Sequence, residues 1–372
     1  MDELQLSIED LSTEEVIETN PYQNKDRKLV TQPYDMSVAT VVAQIKNHDI
    51  ILDPEYQRKY RWSPVKASRF IESLLLNVPI PTVFLAEEED ITYTVIDGQQ
   101  RLSTIRNFIE GEGTEDELTL QGLQIRADLN DKKYSDLSRE DKGKLNKQYI
   151  RCIVILNDSD PQIKFDVFER LNSGSTHLTE QEIRNCIYRG NFNTLLKQLS
   201  ENQNFNSMLK LPEKDQKNMT NVEYVLRFLS YRESLNQYQG SVKEFLNDFM
   251  KDNRVISDER SLFFTELFNS TIEVIHHIFG NNGFSRFLPS RDSWHNALNR
   301  AVFDAEMVAF SRFHFNISEL DNEGIMRNIK ELMSDAAFVR TIASSTNSPE
   351  KVKLRIRLME ECISEFGVKR SC

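Results

Sequence analysis

The sequence predicts an α+β protein, with a small sheet and its helices in the first half and a mainly α-helical second half. Three observations point there. Short β-prone runs at residues 82–85 and 93–96 are flanked by apolar stripes of helical period. From Pro161 onward the pattern is almost entirely helical. Gly and Pro are few, 12 and 10, which suits long regular elements with short connections.

Taken in order, residues 1–20 read as an acidic amphipathic lead-in, and 20–33 as a polar arm. Ser37 is placed to cap a helix running through Val41, Val42 and Ile45. Ile50, Ile51 and Leu52 form a short strand leading into Asp53-Pro54-Glu55-Tyr56-Gln57-Arg58. Ser63-Pro64 is a helix start, because the hydroxyl can accept from orphan amides and proline sits where no donor is needed. Phe70, Ile71, Leu74 and Leu75 give that helix one apolar face, and Pro79 and Pro81 end it. The runs 82–85 and 93–96 form a hairpin around the acidic turn Glu87-Glu88-Glu89-Asp90. The second strand passes into Asp97-Gly98, after which Leu102, Ile105, Phe108 and Ile109 mark a helix. Residues 118–125 are expected as a further strand pair, and 153–156 as a buried strand. Thr179 and Glu182 form a capping box. Amphipathic helices are expected at 222–231, 242–250 and 301–310, and no repeat of fixed period is present. The expected organisation is an arm at 1–35, a domain at 36–190 and a helical domain at 191–372.

The 372 residues carry a formal net charge of −12, which argues against a protein that grips nucleic acid mainly through phosphates. DNA contact would need a local basic patch. Arg58, Lys59, Arg61, Lys66 and Arg69 supply one, unless they are a solvated mixed-charge face. The acidic N-terminus is not a secretory signal and no run approaches a membrane span, so no membrane partner is expected. Cys152, Cys186, Cys362 and Cys372 show neither metal spacing nor a disulfide framework, which suits a reducing cytoplasm. The 22 phenylalanines, mostly at helical spacing in the second half, are expected to pack the core.

The chemistry is expected at Asp97-Gly98-Gln99-Gln100-Arg101. A strand feeding a helix through a tight turn presents unpaired N–H groups and partial positive charge, which favour a phosphate. Gly98 lets backbone approach the phosphate, and Arg101 offers a planar fork of donors. Asp97 can hold Mg²⁺, and Gln99 or Gln100 can orient a water or read a base edge. The alternative is an ordinary charged helix start with Asp97 as its cap. In the second cluster, Arg58 and Arg61 could neutralise phosphate, while Trp62 is read as an apolar anchor on the core.

The order Tyr56-Gln57-Arg58, Trp62, an amphipathic helix, Pro79-Ile80-Pro81 and Asp97-Gly98-Gln99-Gln100-Arg101-Leu102 resembles the GmrSD N-terminal domain family. Phe168-Glu169-Arg170-Leu171-Asn172-Ser173-Gly174 and Leu178-Thr179-Glu180-Gln181-Glu182-Ile183-Arg184 extend the resemblance. It implies a ParB/sulfiredoxin-like fold and binding and hydrolysis of a nucleoside triphosphate with Mg²⁺, in bacterial restriction or anti-phage defence. By that likeness Asp97, Gln99, Gln100 and Arg101 are catalytic, with Asp97 on the metal. Tyr56, Gln57, Arg58, Gly98, Arg101 and Asn172 bind the nucleotide. Glu182 and Arg184 either line the same cleft or close the domain.

Relatives often carry a His-Asn-His nuclease domain; His48, His177, His276, His277, His295 and His314 supply no such context here. Cys152 borders a buried strand and is not expected as a nucleophile. Two further readings stand beside the NTPase: a DNA-binding or nicking module, and a non-catalytic adaptor for a separate nuclease subunit. The helical half could hold a recognition pocket or a homo-oligomer interface.

Overall fold

The computed structural model describes residues 28–52, 62–88, 90–171, 179–212, 215 and 218–370. A mixed five-stranded sheet is built from β1 (Thr31–Ser37), β2 (Ile50–Ile51), β3 (Val83–Glu87), β4 (Tyr93–Asp97) and β5 (Tyr149–Ile155). Its order is β1-β5-β3-β4-β2. β3 and β4 form the expected antiparallel hairpin, β3 runs parallel to β5, and β2 runs parallel to β4. β1 pairs antiparallel with β5 along its whole length. The end of the stretch read as an arm therefore lies in the sheet. Its polar residues and Pro33 fit an edge strand, whose outer groups face water.

Alternation along the strands gives the sheet two apolar faces. Val83, Leu85, Val95, Ile150, Cys152 and Val154 point into one core. It is completed by α1 (Val38–Lys46), α2 (Pro64–Leu75), α3 (Gln99–Glu110) and α4 (Arg139–Lys147). Ala86 and Ile96, on the other face, meet Phe165 and Phe168 of α5 (Pro161–Leu171) and Ile183 and Cys186 of α6 (Glu180–Ile187). The caps lie where local chemistry placed them. Ser37 Oγ accepts from the Thr40 amide, and Ser63 Oγ from the Lys66 amide with Pro64 in the first turn. Thr179 and Glu182 exchange both bonds of the capping box. Trp62 is the anchor expected of it: its ring meets Phe70 edge-on at 5.4 Å and packs on the first core.

Residues 118–125 are not the expected strand pair. Leu118, Leu120 and Leu123 are buried, but among the described residues no strand pairs with them. The Leu120 backbone pairs with that of Asp131 and Lys132, and around it side chains take the place of a ladder. Ser68 Oγ accepts from the Gln121 amide, Asn130 from the Leu123 amide, and one Glu72 carboxylate oxygen from the amides of Ile125 and Arg126. A loop satisfied by distant side chains can bury its leucines without being β.

A second, larger core runs from Tyr188 to Ile363. It begins with α7 (Asn191–Ser200), α8 (Gln203–Leu209), α9 (Thr220–Ser234), α10 (Val242–Asp252) and α11 (Asp258–Phe279). The chain continues through α12 (Arg300–Phe310), α13 (Asn322–Leu332), α14 (Ala336–Ala343) and α15 (Pro349–Ile363). The phenylalanines do pack this core, with Phe205, Phe284 and Phe303 in mutual ring contact. Helix α12 is its axis, with residues 301–310 all buried. Two short ribbons, β6 (Ser285–Leu288) with β7 (Ser293–Leu298) and β8 (Phe313–His314) with β9 (Val368–Lys369), interrupt the otherwise helical half. Among the described residues no helix is long and apolar enough to cross a membrane.

Candidate nucleotide-binding turn

Strand β4 ends at Asp97, and Gly98 caps α3 with φ +105°. The cap is therefore the glycine, not Asp97. A left-handed cap has no side chain to accept from the first-turn amides, and that turn carries no acidic residue. The helix start is left with its partial positive charge uncompensated by its own sequence. Gly98 is also required by packing, since a Cβ there would lie 2.8 Å from Cγ2 of Val83.

The polar side chains of the turn face inward. Arg101 is buried; its Nη1 donates to the carbonyls of Pro81 and Thr82, and its Nη2 to Oδ2 of Asp97 at 2.7 Å. Its fork thus ties the turn to the chain entering β3. The Asp97 side chain remains 47% exposed, with Oδ2 held by Arg101. Gln99 Nε2 donates to the Leu52 carbonyl at 2.8 Å, and Gln100 Oε1 accepts from the Trp62 amide at 3.2 Å. The two glutamines therefore grip the residues on either side of segment 53–61. Tyr56, Gln57 and Arg58 fall in that segment, and Asn172 in 172–178; all four lie outside the described residues. So do Lys59 and Arg61 of the basic cluster, whereas Lys66 and Arg69 are exposed on α2.

Asp97, Gly98, Gln99, Gln100 and Arg101 are brought together; Glu182 and Arg184 do not join them. Glu182 is spent on its capping box. Arg184 is wholly buried, with Asn247, Gln181, Glu180 and Glu223 around its guanidinium, and so fastens α6 to the helical half. Of the two readings for this pair, closing the domain fits. The carbonyls of Pro81 and Thr82 were missed as parts of the turn. The only signal for them is the place of Pro79-Ile80-Pro81 in the family-like string, because local physics reads those prolines as a helix end.

Burial pushes the Cys152 thiol up to about 11, which keeps it protonated and poorly nucleophilic. His276 is half-buried and His277 exposed beside Asn322 at 3.0 Å. Among the described residues no three His, Cys, Asp or Glu side chains cluster as metal ligands.

The family model described as GmrSD restriction endonuclease, N-terminal domain, matches residues 38–189. The chain has no match among curated proteins or among solved structures. The matched span opens with α1 and closes two residues past α6, so it takes in both helical layers and every strand of the main sheet except β1. With the Asp-Gly-Gln-Gln-Arg turn at the head of α3, residues 38–189 of this chain are a domain of the GmrSD N-terminal family.

Proposed function

We propose that the turn at residues 97–101 binds the phosphates of a nucleoside triphosphate with Mg²⁺ and supports its hydrolysis, in the service of a restriction system. The observation that carries this is the left-handed Gly98 opening α3 beside a half-exposed carboxylate. Backbone amides at such a helix start converge on one point and favour an anion. Gly98 lets that anion come close. Asp97 would offer its second carboxylate oxygen to the metal, the remaining ligands being phosphate oxygens and water. Bound Mg²⁺ would supply charge neutralisation on the phosphates. Arg101 then acts by orienting Asp97, and Gln99 and Gln100 by holding the two ends of the segment that carries Tyr56, Gln57 and Arg58. Those three residues and Asn172 are assigned to the nucleotide on the family likeness.

The test is phosphate release from each of the four NTPs with Mg²⁺, with and without DNA, beside Asp97→Asn. That variant keeps an acceptor for Arg101 while removing the charge. Turnover falling about a hundredfold or more at an unchanged unfolding midpoint supports hydrolysis at this site. Wild-type turnover in the variant removes Asp97 from the chemistry.

The inward bracing of Gln99, Gln100 and Arg101 favours a second reading, a nucleotide-binding adaptor for a nuclease partner. Nucleotide binding by calorimetry with no phosphate release under any condition would select it. Stimulation by DNA would instead bring in the exposed Lys66 and Arg69, with a steep salt dependence as its mark.

A further inference from the structure

A cavity of about 240 Å³ lies at the opposite end of β3 from the turn. Asp97 pairs with Phe84, whereas the cavity begins at Ala86 and Glu87, which pair with Thr94 and Tyr93. At about 3.3 Å per residue the two sites are roughly 10 Å apart along the strand. The sheet end, α5 and α6 supply one wall, and Lys251 of α10 and Arg254 just beyond it supply the other. The cavity thus joins the family domain to the helical half.

Two buried groups in this wall lack what burial demands. Tyr188 is 2% exposed and its hydroxyl has no hydrogen-bond partner among the described residues. Lys164 is 8% exposed, and its ammonium donates only to the backbone and side-chain oxygens of Asn157, both at 3.3 Å. Among the described residues no carboxylate lies within 4 Å of that ammonium. A buried cation with no carboxylate in direct contact is costly even where Glu88 and Glu87 are near enough to favour its charge, and a buried hydroxyl without a partner adds to the cost. Glu87 and Glu88 also line the cavity but are engaged. Glu87 accepts from the Asn157 amide and Glu88 from the Thr94 hydroxyl, with Arg189 3.6 Å from Glu88. Lys251 and Arg254 add two more cations, the latter anchored through Nε to the Arg189 carbonyl.

We infer that this cavity is a binding site for a small phosphate-bearing anion, held by Lys164, the Tyr188 hydroxyl, Lys251 and Arg254. Several donors lining one small cavity suit a multiply charged tetrahedral group. The volume is below the range of drug-sized ligand pockets, so the ligand is phosphate or a compact phosphomonoester. Burial lowers the pKa of the Lys164 ammonium, and a bound anion would reverse that pressure. The inference stands apart from the reading of the turn, since none of these residues touches it.

The test uses the full chain, with inorganic phosphate titrated by calorimetry and in thermal unfolding against chloride of equal ionic strength. Tyr188→Phe removes only a hydroxyl that no described residue bonds, so it folds as the wild type does. Phosphate affinity is expected to fall about fivefold in Tyr188→Phe and at least tenfold in Lys164→Met. Nucleoside monophosphates are expected to bind no better than phosphate; a marked gain from the nucleoside would move the ligand to the turn and overturn the assignment. Acetate binding as tightly as phosphate would overturn the phosphate specificity. Phosphate affinity unchanged in both cavity variants, or a wild type that binds none while Tyr188→Phe is merely more stable, would make the cavity a solvent pocket.

Discussion

Replacing Arg101 by alanine should damage the fold as well as any activity, and the size of the damage follows from its contacts. The guanidinium is 10% exposed and meets three acceptors, the carbonyls of Pro81 and Thr82 and the carboxylate of Asp97. A hydrogen bond from a charged donor contributes about 1.5–3 kcal/mol where it is buried. The contact to Asp97 is discounted to about 0.5 kcal/mol, since that carboxylate is half exposed and water replaces the lost partner. With the two carbonyls sharing one nitrogen, the sum is about 3 kcal/mol. At a urea m-value of about 2 kcal/mol/M, the midpoint of the family domain should fall by about 1.5 M. Tryptophan fluorescence reads it, because Trp62 packs against Phe70 beside the turn while the other tryptophan, Trp294, reports the helical half. Asp97→Asn should move the same midpoint by less than about 0.5 kcal/mol equivalent. A midpoint for Arg101→Ala within about 0.2 M of wild type, or about 0.4 kcal/mol at that m-value, would refute the structural role. If the role holds, lost turnover in Arg101→Ala says little about catalysis and Asp97→Asn carries the mechanistic weight.

Three further outcomes are expected. Gly98→Ala should destabilise the family domain by about 2 kcal/mol in urea unfolding, from the left-handed backbone and the 2.8 Å approach to Val83; a neutral result would mean that the turn relaxes freely. Asp304→Ala should cost the helical half about 3–5 kcal/mol, because it strands the buried guanidinia of Arg227 and Arg355 that the carboxylate serves; a loss under 1 kcal/mol would remove it as a structural ion cluster. Burial pushes the Glu306 carboxyl up to about 8, from an ordinary value near 4.5. Between those pH values the unfolded chain has released a proton that the folded chain keeps, so stability from this group is full below 4.5 and falls as pH rises, by up to about 1.4 kcal/mol per unit. Glu306→Gln should lose that component of the pH slope in unfolding followed from pH 5 to 8, and an unchanged slope would show the carboxyl ionised when folded.

The readable parts of this protein were those settled within a few residues. Ser37, Ser63 with Pro64, and Thr179 with Glu182 each cap a helix through bonds three residues long, so the sequence alone places them. The β3–β4 hairpin, the turn into α3 and the phenylalanine-rich helical core follow from period and spacing. The family string across 56–102 needs no structure to be seen, and it lies within the matched residues 38–189.

What the tertiary structure decided involves partners far apart in sequence. Residues 118–125 carry strand-like leucines, yet Glu72 and Ser68, more than 50 positions earlier, satisfy their backbone and make them a loop. The polar β1 became a strand because β5, over 100 residues away, offers it a ladder. Arg101 could be drawn toward a phosphate from local physics, but the carbonyls of Pro81 and Thr82 turn it inward. The cavity around Lys164 and Tyr188 draws its walls from residues 86 to 254, a convergence no local pattern encodes. Local hydrogen-bond geometry and periodicity are properties of the chain, whereas the direction of a buried polar side chain is set by whichever distant acceptor the fold brings within reach.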